Sequence, residues 1–174
     1  VQSVLKSGAG QEIAAPLARA ASERRLLVYS TDDKVQKLLR QWPISGTVDT
    51  RPGPFAMAVV NNAAGNKADY YLQRTLRYES TGCSDSAQDS RITFTVTNDM
   101  PAPAGLPSII TARADDRAQG AAPGSTRIRL EILLPMDSWP SLLEVNGRQT
   151  GIALGSEAGR PAVILDLELP RGKP

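Results

Sequence analysis

The sequence predicts an α+β fold, in which a small N-terminal α/β portion (residues 1–66) precedes an antiparallel, immunoglobulin-like β-sandwich (residues 67–174). Two observations predict this division. Apolar residues recur at helical spacing only early in the chain, whereas from Tyr70 onward they alternate with polar residues, as in half-buried strands. Loops rich in proline, glycine and serine separate these strands, which is typical of a small sandwich.

Two helices are predicted in the α/β portion. Pro16 suits the first turn of a helix over residues 14–24, because its missing N–H is not needed there. Ser30 or Thr31 is the expected cap of a second helix, which Pro43 ends. The apolar stripe of this second helix comprises Val35, Leu38, Leu39 and Trp42.

Three short strands are predicted beside these helices. The apolar run at residues 26–30 indicates a buried strand, and residues 46–50 are expected to form another. Residues 55–60 are apolar on both faces, which is expected of a central strand.

The predicted sandwich begins with a strand over residues 68–79. Arg74 interrupts the apolar face of this strand, which comprises Ala68, Tyr70, Leu72, Leu76 and Tyr78. Three further strands are expected at residues 91–98, 127–134 and 163–169. Asn146 and Gly147 predict a two-residue hairpin turn, because both positions tolerate positive φ.

The composition excludes several classes of protein. Histidine is absent and Cys83 is the single cysteine, so histidine-dependent catalysis, a zinc site and an internal disulfide are excluded within the chain. We therefore expect no metal and no cofactor. The 20 basic and 18 acidic residues nearly cancel, which argues against nucleic acid as a partner. No apolar run approaches the ~20 residues of a membrane span, so this segment is not expected to insert into a membrane.

A polar loop that leads into the strand at residues 68–79 is the candidate ligand-binding site. Its amide, ammonium and carboxylate groups are suited to a sugar or a phosphate and belong to Asn61, Asn62, Asn66, Lys67 and Asp69. The alternative is structural: the asparagines and Gly65 supply turn conformations, while the lysine and the aspartate are solvated or pair with each other.

Arg74 is a candidate because an arginine on a core face needs a partner, either a carboxylate or carbonyl of the chain or a bound anion. Asp115 and Asp116 are expected to be solvated loop charges, since two adjacent carboxylates without further ligands are weak evidence for a cation site. Trp139 is expected to cover the open end of the sandwich, with a sugar-stacking platform as the alternative.

Several segments of the chain resemble a known protein family. In order, they are LLVYSTDDKVQKLL, Gly46, the paired Asn61-Asn62, GNKADYYLQRTLRYE, TVTNDMPAPAGLP and RIRLEILLP. Together they are similar to the C-terminal half of domain-of-unknown-function family 4012, which comprises actinobacterial envelope-associated proteins. Most of the resemblance lies in Asn66, Lys67, Asp69, Tyr70, Tyr71 and Arg74.

The resemblance implies an extracytoplasmic protein of the cell envelope, tethered by an N-terminal membrane helix outside this chain. The chain ends, VQSVLKSG and LPRGKP, are expected for a segment of a longer protein. In that compartment we expect Cys83 to be either a free thiol or half of a disulfide to another segment or a partner.

The family has no established catalytic residues. The resemblance therefore implies a non-catalytic module that supports assembly or presentation of surface glycopolymers, with an envelope glycan or another envelope protein as its partner. One alternative is part of a LytR–CpsA–Psr-like transferase that acts on polyprenyl-pyrophosphate-linked glycans. The other is a structural protein-interaction domain that pairs through an exposed sheet edge.

Overall fold

The computed structural model describes residues 9–23, 25–83 and 87–172, which form two compact units that divide between Asp49 and Thr50. The first unit is helical, and the second is built mainly from antiparallel strands, so the predicted α+β class is confirmed. The boundary at residue 66 stays a prediction. β1 (Met57–Asn62), which precedes that boundary, pairs with a strand of the second unit.

The first unit contains two helices and a turn. They are α1 (Ala9–Ser22), α2 (Asp33–Leu39) and a 3-10 turn at Pro43–Ser45. Pro16 lies inside α1, so the prediction that it occupies the first turn was wrong. The alanine, glutamine and glutamate residues before Pro16 are good helix formers, and they extend α1 toward the N-terminus.

The cap of α2 also differs from the prediction. Asp32 caps this helix, because its Oδ1 accepts hydrogen bonds from the N–H groups of Lys34 at 2.8 Å and Val35 at 3.1 Å. The Ser30 hydroxyl instead accepts a hydrogen bond from the Asp32 N–H at 3.2 Å. Ser30 therefore belongs to the turn that precedes the helix, and neither it nor Thr31 is the cap.

The apolar residues of the first unit are more exposed than predicted. Of the predicted stripe on α2, Val35 is 46% exposed and Leu38 is 61% exposed, whereas Gln36 is buried and accepts a hydrogen bond from the Ser30 N–H. Residues 26–30 and 46–50 form no strand. An apolar run becomes a strand only where another strand pairs with it, and the described part of this unit contains none.

The second unit contains the strands of the structure. In chain order they are β1 (Met57–Asn62), β2 (Leu72–Cys83), β3 (Gln88–Asn98), β4 (Thr126–Leu133), β5 (Glu144–Val145), β6 (Arg148–Gln149), β7 (Ala153–Glu157) and β8 (Arg160–Leu169), with a short helix α3 (Ser108–Thr111) after β3. A four-stranded antiparallel sheet has the order β1-β4-β8-β7. β1 is thus an edge strand, so the prediction of a central strand at residues 55–60 was wrong. Five of its six residues are partly buried and Asn61 is exposed, and one side of the strand has no neighbour in the sheet.

The predicted alternation of β4 and β8 is confirmed. Leu130 of β4 is 2% exposed, and the register places it beside Leu165 of β8. Leu72 of β2 and Val96 of β3 pack against the same apolar face of the sheet. The other buried residues of this core are Ile128, Ile132, Leu134, Val163 and Leu169.

Among the described residues, the β2–β3 hairpin packs over this core together with Leu143 and Ile152. Its two strands pair from Leu72 with Asn98 to Cys83 with Gln88, with an irregularity after Ser80. The described residues form no second multi-stranded sheet and no closed barrel, so an immunoglobulin-like sandwich is not confirmed. β5 and β6 form the predicted two-residue hairpin, with positive φ at its two turn residues.

β2 begins later than the alternation predicted. Ala68–Tyr71 form a 3-10 turn, in which Ala68 is buried and Tyr70 is 86% exposed. The Leu72 N–H bonds to the Asp69 carbonyl and closes this turn, and the strand starts at Leu72. An alternating pattern was present, but local hydrogen bonding gave its first four residues a different conformation.

Candidate functional site

Asn62 organises the polar loop between β1 and β2. Its side-chain oxygen accepts hydrogen bonds from the N–H groups of Ala64 at 2.8 Å and Gly65 at 2.9 Å. Its side-chain nitrogen donates to the Asp69 carboxylate and to the Asn66 carbonyl, each at 2.7 Å. Because the donor and the acceptor of Asn62 are both used within the loop, these bonds hold the loop in one conformation.

Asn66 joins the same loop to the start of β4. It is 2% exposed, its side-chain nitrogen donates to the Ser125 carbonyl at 3.0 Å, and its side-chain oxygen accepts from the Thr126 hydroxyl at 3.0 Å. Burial of an amide is tolerated when both of its polar groups are satisfied, as here. Gly65 is required beside it, because its φ is 73° and a Cβ there would lie 3.1 Å from the Ala114 Cβ.

The remaining candidates of the predicted site lie outside this hydrogen-bond network. Asn61 and Lys67 are exposed, and the register places Asn61 beside Arg129 on the face of the sheet opposite the core. Arg74 is exposed as well, which corrects the expectation that it lies on a buried face. Its neighbour on that face, Leu76, is 39% exposed, whereas the β3 residues opposite these two positions, Val96 and Phe94, pack against the core. After Leu72 the hairpin therefore packs on the core through β3. The structure therefore brings together Asn62, Asn66 and Asp69.

Asn98, at the end of β3, has a similar structural role that the sequence did not indicate. It is completely buried, and its side-chain nitrogen donates to the carbonyls of Gly124 at 2.8 Å and Leu169 at 3.2 Å. Its side-chain oxygen accepts from the Met100 N–H at 3.2 Å. An asparagine after a strand is a common turn signal, and this signal does not identify partners that are distant in the sequence.

Arg113 is the centre of an ion-pair network. Its side chain is 4% exposed and contacts the Asp115 carboxylate through two nitrogens at 2.8 and 2.6 Å, and Glu168 through a third nitrogen at 2.5 Å. Arg127 contacts Asp116 at 2.9 Å. The expectation of a solvated loop charge was therefore wrong for Asp115, whose side chain is 6% exposed and paired with an arginine. The Asp116 side chain is 78% exposed, as expected.

The positive and negative charges of this network stabilise one another. The hydrogen bonds from Arg113 lower the pKa of Asp115 from 3.8 to about 2, and they also lower the pKa of Glu168. The hydrogen bonds to the two carboxylates raise the pKa of Arg113 above its usual range. Acid–base catalysis by two carboxylates depends on one of them keeping a raised pKa, whereas both are lowered here. The arrangement is that of a structural network.

A large cleft in the second unit is the remaining candidate site. It has a volume of 1330 Å³ and lies between residues 87–96, residues 134–147 and the apolar face of the four-stranded sheet. Leu165 and Leu167 of β8, which are only partly buried, contribute to its floor. Trp139 lines the cleft and is 77% exposed, so it does not cover the core as expected. An open apolar cleft with an exposed aromatic residue is suited to binding.

The charged residues that line this cleft are mostly acidic. Among the described residues, Arg91 is the single basic residue of the lining, which also contains Asp89, Asp137 and Glu144. Asp166 and Glu168 border the cleft as well, but the register places their side chains on the opposite face of the sheet, beside Arg129 and Arg127. This excess is local, because the whole chain has a net charge of +2. Lys67, Arg74 and Arg77 do not line the cleft. The sequence did not predict this site, since its walls come from segments that are far apart in the chain.

Cys83 is the last residue of β2, and its side chain lies outside the described residues, so both expectations for its thiol stay predictions. Within the described part of the chain, no three histidine, cysteine, aspartate or glutamate side chains are grouped as metal ligands. No described helix is long and apolar enough to span a membrane.

Comparisons of the chain with protein-family models, curated proteins and solved structures found no match. A functional assignment therefore depends on the chemistry of the cleft and of its rim. The similarity of the short segments to the envelope family remains a hypothesis about the setting in which this cleft acts.

Proposed function

We propose that this chain is a non-catalytic binding module of the cell envelope, which supports assembly or presentation of surface glycopolymers by holding a partner in its cleft. The cleft is the main observation behind the proposal, because it combines 1330 Å³ of open volume with an apolar floor and the exposed Trp139. The resemblance of GNKADYYLQRTLRYE to the envelope family supports a location outside the cytoplasm and an envelope glycan or protein as the partner.

The polar groups of the loop between β1 and β2 already bond to one another, which favours the cleft over the loop as the binding site. A ligand at the Asn62 amide would have to replace bonds to Asp69 and to the Asn66 carbonyl, each 2.7 Å long. Replacement of satisfied hydrogen bonds gives little net free energy. The apolar floor of the cleft has no such competing contacts at its open side, so burial of a partner there is favourable.

The charge of the cleft argues against the transferase alternative. Transfer of a polyprenyl-pyrophosphate-linked glycan requires cations at the phosphates, supplied by arginine, lysine or a metal ion. Arg74 and Lys67 lie outside the cleft, and its lining contains three carboxylates, those of Asp89, Asp137 and Glu144, for the single Arg91. Such a rim repels a pyrophosphate. We therefore favour a module that binds a partner over one that transfers a glycan.

Photo-crosslinking in the organism that encodes the chain tests this proposal. A photoreactive phenylalanine analogue replaces Trp139 in the cleft, and in a matched variant it replaces Tyr70, which is 86% exposed and lies outside the cleft lining. We expect position 139 to form an adduct with an envelope glycan or an envelope protein, and position 70 to form none. Protease and mild acid treatment of the adduct then distinguish a protein from a glycan.

Deletion of the gene provides the second half of the test. If the module supports assembly or presentation, the deletion should lower the amount of glycopolymer at the cell surface or shorten its chains. Equal labelling from positions 139 and 70, together with unchanged surface glycopolymer after deletion, contradicts the proposal.

A further inference from the structure

The backbone of β3 has one unpaired edge among the described residues. β3 pairs with β2 alone, and beyond the strand the Asp99 N–H donates to the Tyr71 carbonyl at 3.0 Å. This bond sets the phase of the ladder, because antiparallel residues alternate between pairs that exchange hydrogen bonds and pairs that do not. In this register, the N–H and C=O groups of Thr93 and Thr95 point toward β2. The N–H and C=O groups of Ile92, Phe94 and Val96 point away from β2.

This free edge borders the cleft. Residues 88–96 of β3 line the cleft without interruption, and nine residues in an extended strand span ~30 Å. Ile92 and Phe94 of β3 pack toward the core but are only partly buried, as are Leu165 and Leu167 on the sheet. An unpaired strand edge thus lies beside an incompletely covered apolar surface.

We propose that the cleft binds an extended segment of a partner polypeptide, which adds to the free edge of β3 as a third strand. The inference rests on the proposed function, in which the cleft is the binding site of the module. Backbone hydrogen bonds to Ile92, Phe94 and Val96 hold the segment, while its alternate side chains cover the apolar floor. The added strand extends the two-stranded layer that packs on the four-stranded sheet.

The charges of the cleft define the chemistry of the segment. Its lining contains the carboxylates of Asp89, Asp137 and Glu144 for one guanidinium at Arg91. Opposite charges at a rim accelerate association, and like charges exclude competing partners. The segment is therefore basic, with lysine or arginine alternating with apolar residues. A second copy of this chain would bring the same acidic rim, which disfavours pairing of two copies through this edge.

Amide hydrogen exchange of the whole chain, measured by NMR, tests strand addition. The probe is a ten-residue peptide in which valine alternates with lysine and threonine. At saturation, exchange at Ile92, Phe94 and Val96 should slow by about tenfold or more, because their N–H groups gain hydrogen bonds. Exchange at Thr93 and Thr95 should be slow with and without the peptide, since these residues bond to β2.

Two control peptides and two variants separate the contribution of charge to binding from that of backbone pairing. A peptide with glutamate in place of lysine should bind about tenfold more weakly at low salt, and N-methylation of the amides on the pairing edge should abolish binding. Leu142→Lys places a cation in the cleft lining and should weaken binding of the lysine peptide about tenfold. Ile109→Lys, at a residue that is 63% exposed and outside the lining, should leave the affinity unchanged.

The outcomes distinguish this inference from the proposed function. Peptide binding without slower exchange at Ile92, Phe94 and Val96 overturns strand addition, while adducts from position 139 still test the cleft as a binding site. Failure of the lysine peptide to bind, or equal affinity of the glutamate peptide, also overturns the inference. Slower exchange at the same amides when the chain alone is concentrated assigns the edge to a second copy and overturns a foreign segment.

Discussion

Replacement of Asn66 with alanine is expected to destabilise the second unit substantially. The change removes the bonds to the Ser125 carbonyl and the Thr126 hydroxyl, each 3.0 Å long, and leaves the completely buried Thr126 hydroxyl without its acceptor. Two lost hydrogen bonds and one unsatisfied buried group together lower the free energy of unfolding by about 3 kcal/mol. Lys67→Ala, at an exposed neighbouring position, should change it by less than about 0.5 kcal/mol.

Urea unfolding followed by tryptophan fluorescence measures these changes. Trp139 reports on the second unit in a Trp42→Phe background, because Trp42 belongs to the first unit. Thr126→Val, added to Asn66→Ala, should recover part of the loss, since it removes the unsatisfied hydroxyl. A loss below about 1 kcal/mol for Asn66→Ala, or equal losses for Asn66→Ala and Lys67→Ala, would refute the structural role of this loop.

Acid should weaken the second unit between pH 3.8 and about 2, because the lowered pKa of Asp115 stabilises the folded state above that window and this contribution is lost as the carboxylate is protonated. Circular dichroism during acid titration should show a smaller change over this window for Asp115→Asn, and superimposable titrations would exclude this role of Asp115. Leu130→Ala, at a central residue that is 2% exposed, should cost about 3–5 kcal/mol in urea unfolding. Leu142→Ala, at 56% exposure, should cost less than about 0.5 kcal/mol, and similar losses for the two leucines would be inconsistent with the core described above.

β4 and β8 were predictable because each contains its burial pattern within a few consecutive residues, whereas β7, whose residues are mostly exposed, was not predicted. Ile128, Leu130 and Ile132 alternate with charged residues, and the same alternation appears in β8. The turn at Asn146 and Gly147 was predictable for a similar reason, since positive φ is a local requirement. Such features depend little on what lies elsewhere in the chain.

Features that depend on distant partners were not predictable. The apolar run at residues 26–30 has the composition of a strand, but a strand forms only where another strand pairs with it. Arg74 lies on the face of β2 that the apolar alternation defines, yet it is exposed, because after Leu72 the hairpin packs on the core through β3. Periodicity therefore identified a face of the strand without showing how much of that face is covered.

Prediction of the candidate sites, the polar loop and the cleft, was limited in the same way. The asparagines indicated a turn correctly, but the partners of Asn66 are about sixty residues away in the sequence, so its burial was not visible. The cleft combines β3, the segment around Trp139 and the sheet around Leu165, and no local motif connects them. The amphipathic character of these strands was predictable from the sequence. That part of their apolar surface stays uncovered could be seen only in the three-dimensional structure.

Chemical-shift mapping of the whole chain with the lysine peptide tests most directly whether the cleft, and not the polar loop, is the binding site. We predict that the largest shifts occur at the amides of Ile92, Phe94, Trp139 and residues 141–143, while residues 61–69 are unaffected. The largest shifts at residues 61–69, with the cleft unchanged, would contradict the assignment.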